Sequence, residues 1–284
     1  MIKKGAVKVQ EHTGTCKGKD LDVFFSGREL YGDDLGPDEI AEWYHDEKEG
    51  YACLVASDAG VYGYVYHAMN VWHGFRHLPP WRFSDVLGFG SAYGEEFEPI
   101  AARLNRLTIV DPSDTFKRSE VFGIPVEYVR PRVDGTLEFE DDSFDLITCF
   151  GVLHHIPNVS HVVGELYRCL RPGGYALVRE PVISLGDWRR RRPGLTTRER
   201  GIPLPIFHRI MAETGFIVVR DRLCMFPLIP RLWEIARRAA FNSSLATGLD
   251  EMCCRLLRWN LRYHATNVIM KLRPTSVFVV LTKQ

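Results

Sequence analysis

Two neighbouring histidines, His154 and His155, are candidates for proton transfer in this sequence. Histidine suits that role because its ordinary pKa lies near neutrality. Upstream, a glycine-rich turn contains Gly88 and Gly90, and Asp111 follows Gly90 by 21 residues. Glycine lets a ligand approach the backbone, and an acidic residue at the end of the next strand can accept hydrogen bonds from both ribose hydroxyls. The spacing predicts a site for an adenosine-containing cofactor and leaves open whether that is a dinucleotide or S-adenosylmethionine.

The elements that must position these residues alternate between strands and helices. Seven strands are predicted, in the segments FSDVLGF, RLTIVDP, VEYVRP, FDLITCFGV, GGYALVREPV, FIVVRDRLCMF and SVFVVLTKQ. Helices are predicted between them, including EEFEPIAARLN, VSHVVGELYRCL and PIFHRIMAETG. The alternation implies an α/β fold with a doubly wound, mostly parallel sheet covered on both faces. Ligands of such sheets bind at the carboxyl ends of the strands, where the winding reverses.

Two regions lie outside this alternation. Residues 1–80 are expected to form an N-terminal arm and a helical cap, with a helix over residues 37–50, leaving residues 81–284 as the core. Residues 228–266 carry two amphipathic patterns, which predict a helical, lid-like insertion before the last strand.

Composition favours a globular protein, since 45% of the 284 residues are hydrophobic and 25% are charged. No apolar run suits a transmembrane helix or a secretory signal, and the seven cysteines show no zinc or disulfide spacing, so reduced thiols and a cytoplasmic location are expected. No metal site is predicted.

Charge is distributed unevenly along the chain. The net charge is zero, but residues 28–50 are strongly acidic and residues 189–273 strongly basic. Six arginines between residues 189 and 200 would fit an anionic acceptor. Alternatively, the two regions are solvated faces that attract each other. Neutrality and the absence of an RNA-binding motif argue against nucleic acid, whereas the basic amphipathic segments 231–239 and 252–263 could contact a membrane surface.

The segment over residues 138–178 resembles the class I S-adenosylmethionine-dependent methyltransferases, especially their small-molecule branch. It carries FEDDSFDLITCF, then GVLHHIPN, then a helix and LRPGGYALV. The resemblance covers roughly residues 82–180 and implies a Rossmann-like seven-stranded sheet, S-adenosyl-L-methionine as cofactor, and methyl transfer by in-line displacement.

The resemblance also implies cofactor-binding residues. The backbone of Gly88, Phe89 and Gly90 should meet the methionine part, and Asp111 should bind the ribose. The remaining implied positions are, beside the adenine, Pro112, Ser113, Val133, Asp134 and Gly135, and, facing the sulfonium, Phe150 and Gly151. Two departures concern the turn: the position two before Gly88 is Val86 where the family has an acidic residue, and the third glycine is displaced to Gly94.

In some relatives a histidine at the place of His154 or His155 acts as base, and in others the pair is structural. The sequence therefore predicts a methyltransferase acting on a small-molecule or glycan-like acceptor at oxygen. The alternative is a non-catalytic protein that keeps the fold and binds the cofactor, which the altered glycine turn motivates.

Overall fold

The computed structural model describes residues 21–56, 63–188, 192 and 194–284, and these form one eight-stranded sheet. The strands are β1 (Phe83–Phe89), β2 (Leu104–Val110), β3 (Glu120–Val121), β4 (Ile124–Val129), β5 (Phe144–Phe150), β6 (Leu170–Pro181), β7 (Ile217–Cys224) and β8 (Ser276–Thr282). Their order across the sheet is β3-β4-β2-β1-β5-β6-β8-β7. Parallel pairing joins β4 to β2, β2 to β1, β1 to β5 and β5 to β6, whereas β8 is antiparallel to both of its neighbours.

Seven α-helices surround the sheet within the described residues. They are α1 (Leu21–Phe25), α2 (Pro37–Ala56), α3 (His67–His73), α4 (Val159–Cys169), α5 (Leu204–Thr214), α6 (Leu228–Ile235) and α7 (Ser244–Leu256). Short 3-10 helices occupy Phe75–His77, Glu95–Arg103, Asp114–Phe116, Leu153–His155, Ala240–Asn242, Arg258–Asn260 and Ile269–Lys271.

The predicted α/β fold and mostly parallel sheet are confirmed, with two differences in detail. The sheet has an eighth strand, because the two-residue β3 turns back against β4. The segment Glu95–Arg103, predicted as an α-helix, is a 3-10 helix that contains Pro99. Proline has no N–H to donate within an α-helix, which favours the irregular form.

The sheet is buried on both faces by two apolar clusters. One contains α4 and α5 residues such as Val163 and Phe207, and the other contains α3 and insertion residues such as Met69 and Phe241. The central strand β5 supplies Leu146 to one cluster and Ile147 to the other. This two-sided burial explains why its sequence is a near-continuous apolar run.

The chain reverses its winding direction at β1, which pairs with β2 on one side and β5 on the other. The carboxyl ends of these three strands therefore meet at one edge. From the N-terminal region, α2 reaches this edge, and its Trp43 is fully buried there. Between β7 and β8 the chain forms α6 and α7. Among the described residues, no helix is long and apolar enough to cross a membrane.

Candidate active site

In the turn after β1, the backbone of Gly90 lies close to Val152 in the loop after β5. Gly90 has φ +68° and donates its N–H to the Val110 carbonyl oxygen over 2.8 Å. A Cβ at position 90 would lie 2.5 Å from a methyl carbon of Val152. Both the left-handed backbone and this approach require glycine here.

Asp111 follows β2 directly and is only 5% exposed. Its Oδ1 accepts the Ser113 N–H over 2.9 Å, and its Oδ2 accepts the Ala92 N–H over 3.2 Å. Burial nevertheless raises the pKa of this carboxyl to about 6. The carboxylate is thus fixed in orientation, and each oxygen keeps a further lone pair for a hydroxyl donor.

A largely apolar cavity opens at this edge of the sheet. The described residues that line it are Tyr44, Glu47, Lys48, Phe89, Gly90, Val110, Asp111, Pro112, Pro131, Arg132, Val133, Gly135, Val152, His155, Ile156, Pro157 and Asn158. Seven of the site positions predicted from the sequence are among them: Phe89, Gly90, Asp111, Pro112, Val133, Gly135 and His155.

The other predicted positions lie beside the cavity rather than on its wall. They are Gly88, Ser113, Asp134, Phe150, Gly151 and His154. Phe150 packs in the cluster on one face of the sheet, where its ring centroid is 5.4 Å from that of Phe278. Asp134 accepts the Thr136 N–H over 3.0 Å, which shapes the turn that carries Gly135.

The wall opposite the glycine turn comes from α2, which the sequence analysis did not place there. Tyr44, Glu47 and Lys48 have the i, i+3, i+4 spacing of one helix face and line the cavity together. That spacing was visible in the sequence, but nothing local indicates which face of a surface helix meets a pocket more than forty residues away.

The two adjacent histidines have different surroundings. His155 lines the cavity, and its Nδ1 lies 2.8 Å from Glu47 Oε2. His154 is buried behind it, with Nδ1 2.8 Å from Glu180 Oε2 and Nε2 3.4 Å from Glu199 Oε1. Burial alone would lower the pKa of His154, but the hydrogen bonds to both glutamates raise it to about 9.

Glu199 shows the complementary effect. Burial would raise its pKa, but the hydrogen bond from His154 and the positive charge of that imidazole lower it to about 2. His154 is therefore a protonated bridge between two carboxylates at neutral pH, whereas His155 is the histidine with access to the cavity.

The loop that carries both histidines is clamped by buried polar side chains. Glu180 Oε1 accepts the N–H groups of Val152 and Leu153, each over 2.8 Å. Arg200 is fully buried and donates to the carbonyl oxygens of this loop, namely those of Leu153, His154, Ile156 and Pro157. Trp43 Nε1 donates to the His155 carbonyl oxygen over 2.8 Å. These contacts fix the backbone on both sides of the histidine pair.

Three arginines of the segment predicted to recognise an anion serve the structure instead. Arg192 donates to four backbone carbonyl oxygens, and Arg200 to the loop just described. Arg198 donates to Asp46 over 2.7 Å and to Glu42 over 2.6 Å, both on α2. The acidic and basic regions therefore do attract each other at this point. Arg189, Arg190 and Arg191 lie outside the described residues.

A carboxylate lies at the glycine turn although Val86 replaces the usual acidic residue. Val86 is buried in the core, and Glu96 approaches from the following helix. Glu96 Oε1 accepts hydrogen bonds from Ser91 Oγ over 2.6 Å and from Thr148 Oγ1 over 2.8 Å. Burial raises the pKa of Glu96 to about 7. The sequence shows this acid only as one of several near Gly94.

Among the described residues, one group of side chains could geometrically hold a metal ion. His154, His155 and Glu199 offer ligand atoms within 4.8 Å of one another. His154 already contacts Glu180 and Glu199 through its two ring nitrogens, and His155 Nδ1 contacts Glu47. Each imidazole therefore has a carboxylate partner among the described side chains.

Comparison with known proteins finds matches over the segment that carries the glycine turn, Asp111 and His155. Residues 87–178 match the family model of a methyltransferase domain. A ubiquinone/menaquinone biosynthesis C-methyltransferase of Brucella canis is 28% identical over 129 residues, which are 43% of this chain and 48% of that protein. A ubiquinone biosynthesis O-methyltransferase of Pseudomonas putida is 38% identical over 52 residues, which are 18% of this chain and 22% of that protein. The chain thus spans half or less of the length of these curated relatives.

The overall fold has a counterpart among solved structures. Phosphoethanolamine N-methyltransferase 2 of Haemonchus contortus, in complex with phosphomonomethylethanolamine and S-adenosylhomocysteine, aligns with a TM-score of 0.55 and 17% identity. The alignment covers 86% of this chain and 60% of that one. At this identity the likeness shows the fold alone.

Proposed function

We propose that this chain is a class I S-adenosylmethionine-dependent methyltransferase, which transfers a methyl group from S-adenosyl-L-methionine to a hydroxyl of a small-molecule or glycan-like acceptor; the match of residues 87–178 to a methyltransferase domain supports this. One observation carries the proposal. A single cavity holds the Gly90 turn, the Asp111 carboxylate and His155, which is paired with Glu47.

The cavity residues fit an adenosyl group chemically. Asp111 offers a fixed carboxylate for two ribose hydroxyls, and Pro112 and Val133 offer apolar surface for an adenine ring. The backbone at Phe89 and Gly90 lies where the methionine part would run. Lys48, on the same wall, forms no ion pair with a described residue and would attract a carboxylate of the cofactor or of the acceptor. When bound, the cofactor supplies an electrophilic methyl group on a sulfonium.

We assign His155 as the base that removes the acceptor's proton. A hydroxyl is a weak nucleophile until it loses a proton, and an imidazole on the cavity wall can accept that proton. Glu47 would stabilise the imidazolium that forms, since its carboxylate already contacts Nδ1 of His155. His154 is a positioning residue in this scheme, because its proton is held by Glu180 and Glu199.

The cavity wall and the relatives support the proposed acceptor class. The wall is mostly apolar with a few polar groups, which suits an aromatic or otherwise partly apolar acceptor that carries a hydroxyl. The curated relatives methylate carbon and oxygen in ubiquinone biosynthesis. We favour oxygen because a base on the cavity wall has a direct role there.

A second candidate function is cofactor binding without catalysis. It is favoured by the crowded turn, since Val152 covers Gly90 and both oxygens of Asp111 already accept backbone N–H groups. If this crowding is permanent, the protein would bind the cofactor weakly and serve as a regulatory or assembly subunit.

The two candidates are separated by calorimetry followed by turnover. Isothermal titration with S-adenosylhomocysteine tests the cofactor site, and a labelled methyl donor with a panel of phenols and sugars tests transfer. His155→Gln should retain cofactor binding and lose methyl transfer, whereas His208→Gln, on α5 and outside the residues that line the cavity, should retain both. Absence of cofactor binding would refute the proposal, and binding without transfer to any acceptor would favour the non-catalytic alternative.

A further inference from the structure

The insertion between β7 and β8 exposes an unusual share of the protein's apolar surface. We call residues 228–271 the insertion surface. It carries nine of the sixteen large hydrophobic side chains that are exposed among the described residues: Leu228, Leu232, Ile235, Leu245, Met252, Leu256, Trp259, Val268 and Ile269. Trp259 is 72% exposed and Ile235 82%. Single exposed hydrophobic residues are ordinary, but a concentration of this kind indicates a surface that contacts a protein or a membrane when the protein functions.

The exposed side chains follow the helices as stripes. On α6 they are Leu228, Leu232 and Ile235, at the i, i+4, i+7 spacing of one helix face. Ile229 of the same helix is buried in the apolar core, so the stripe is the outward face.

The same arrangement holds on α7. Leu245, Met252 and Leu256 have i, i+7, i+11 spacing and are exposed, and Trp259 extends the row by three residues. Cys254 is buried in the core on the other side. Each helix therefore has two apolar faces. One packs against the core, and the other is exposed to solvent.

Cations are interleaved with these stripes. Seven basic residues of the insertion surface are exposed: Arg231, Arg237, Arg238, Arg255, Arg258, Arg262 and Lys271. None of them forms an ion pair with a residue that the structure describes. The surface is therefore positively charged as well as apolar.

The acidic residues of the same segment do not offset that charge. Asp250 is buried and accepts the N–H groups of Met225 and Phe226. Glu251 accepts the Trp72 indole N–H and pairs with Arg220 and Arg222, which lie outside the insertion. Only Glu234 is an exposed acid within the insertion surface.

The insertion does not serve as a wall of the candidate active site. No described residue that lines the cavity comes from residues 228–271. The exposed stripes consequently face something other than the cofactor or acceptor bound in that cavity.

We propose that the insertion surface docks onto an anionic lipid bilayer. An amphipathic surface helix buries its apolar stripe at the boundary of headgroups and acyl chains, while arginines meet lipid phosphates. The arginines of the insertion surface suit the lipid phosphates, and the exposed leucine, isoleucine and tryptophan side chains beside them suit the boundary of the acyl chains. This docking needs neither cofactor nor acceptor, so it goes beyond the proposed catalytic function and is independent of it.

The test is co-sedimentation of the full chain with vesicles. Phosphatidylcholine vesicles with and without phosphatidylglycerol are compared, without cofactor. The chain should bind the anionic vesicles and bind the neutral ones much more weakly. Each cation near an anionic surface contributes about 1 kcal/mol, so Arg255→Gln/Arg258→Gln should weaken binding about 30-fold.

The apolar part of the proposal has its own variant and control. Trp259→Ala should reduce binding, whereas Trp81→Ala, which removes a tryptophan that is 55% exposed outside the insertion, should not. Arg209→Gln on α5 is a single-charge control outside the insertion and should leave binding unchanged. Thermal unfolding and S-adenosylhomocysteine titration confirm that each variant is folded.

Two results would overturn docking to a bilayer. One is the absence of binding to anionic vesicles, or binding that the insertion variants leave unchanged. The other is self-association in analytical ultracentrifugation that the same variants abolish, because the surface would then be an interface between copies of the chain.

Discussion

Gly90→Ala perturbs the close approach between the turn after β1 and Val152 in the loop after β5. Gly90 combines a φ of +68° with a Cβ position 2.5 Å from Val152. Real Cβ atoms do not approach other carbons this closely, so either the turn or the loop that holds Val152 must move. Both lie on the cavity wall.

The magnitude follows from two separate costs. A left-handed conformation costs a residue with a Cβ about 1–2 kcal/mol, and forcing extra carbon into a packed site costs about 1–3 kcal/mol. The free energy of unfolding should therefore fall by about 2–5 kcal/mol. Gly123 provides the control, since its φ is +78° and a Cβ there would meet nothing within 4 Å. Gly123→Ala should lose only about 1–2 kcal/mol.

Urea unfolding measures stability, and titration with S-adenosylhomocysteine measures the cofactor site. Gly90→Ala should lose more stability than Gly123→Ala and should alone weaken cofactor binding. Adding Val152→Ala to Gly90→Ala should restore part of the loss, with a coupling energy of at least about 1 kcal/mol between the two positions. Equal losses at positions 90 and 123, or no coupling to position 152, would refute the reasoning.

Four further outcomes are expected. The folded-state pKa of His154 is raised to about 9, so its contribution to stability is complete below pH 6.5 and disappears as the pH rises through about 9. Wild-type stability should fall across that window by an amount on the order of 3 kcal/mol in urea titrations, and His154→Gln should flatten the fall. Asp111→Asn should weaken S-adenosylhomocysteine binding about 10–100-fold by calorimetry, because a charged acceptor of ribose hydroxyls is lost; unchanged affinity would remove Asp111 from the site. Arg200→Lys should lower the free energy of unfolding by at least about 3 kcal/mol, because a lysine cannot satisfy the loop carbonyl oxygens that the buried guanidinium serves; a small loss would show that water replaces it. Chelating divalent cations should leave methyl transfer unchanged, since His154 already bridges Glu180 and Glu199 by a proton; activity restored by added zinc or manganese would contradict this.

The sheet was predictable because its signals are local. The segment FDLITCF has the apolar run of a strand buried on both faces, and β5 spans Phe144–Phe150. The turn at Gly90 and the acidic residue Asp111 at the end of β2 can likewise each be recognised from their immediate neighbours in the sequence. Their meeting at one edge follows from the parallel topology, without any knowledge of side-chain contacts.

The opposite wall was not predictable because its determinants are distant in sequence. Glu47 reaches His155 across 108 positions, and Arg198 reaches Asp46 across 152. A single sequence shows that residues 28–50 are acidic and that the later segment is basic, but not which charges pair. For the same reason the sequence could not show that His154 and His155 have different surroundings. Those of His154 depend on Glu180 and Glu199, and those of His155 depend on Glu47.

The wall formed by α2 has a consequence for how the site is assembled. Arg198 anchors α2 by Asp46 and Glu42, and its backbone N–H donates to Glu47 over 2.7 Å. Glu47 in turn contacts His155, whose carbonyl oxygen accepts from Trp43 on the same helix. Since α2 therefore contacts both the side chain and the backbone of His155, it helps to hold the proposed base in its orientation. A helix outside the alternating core is thus part of the candidate chemistry.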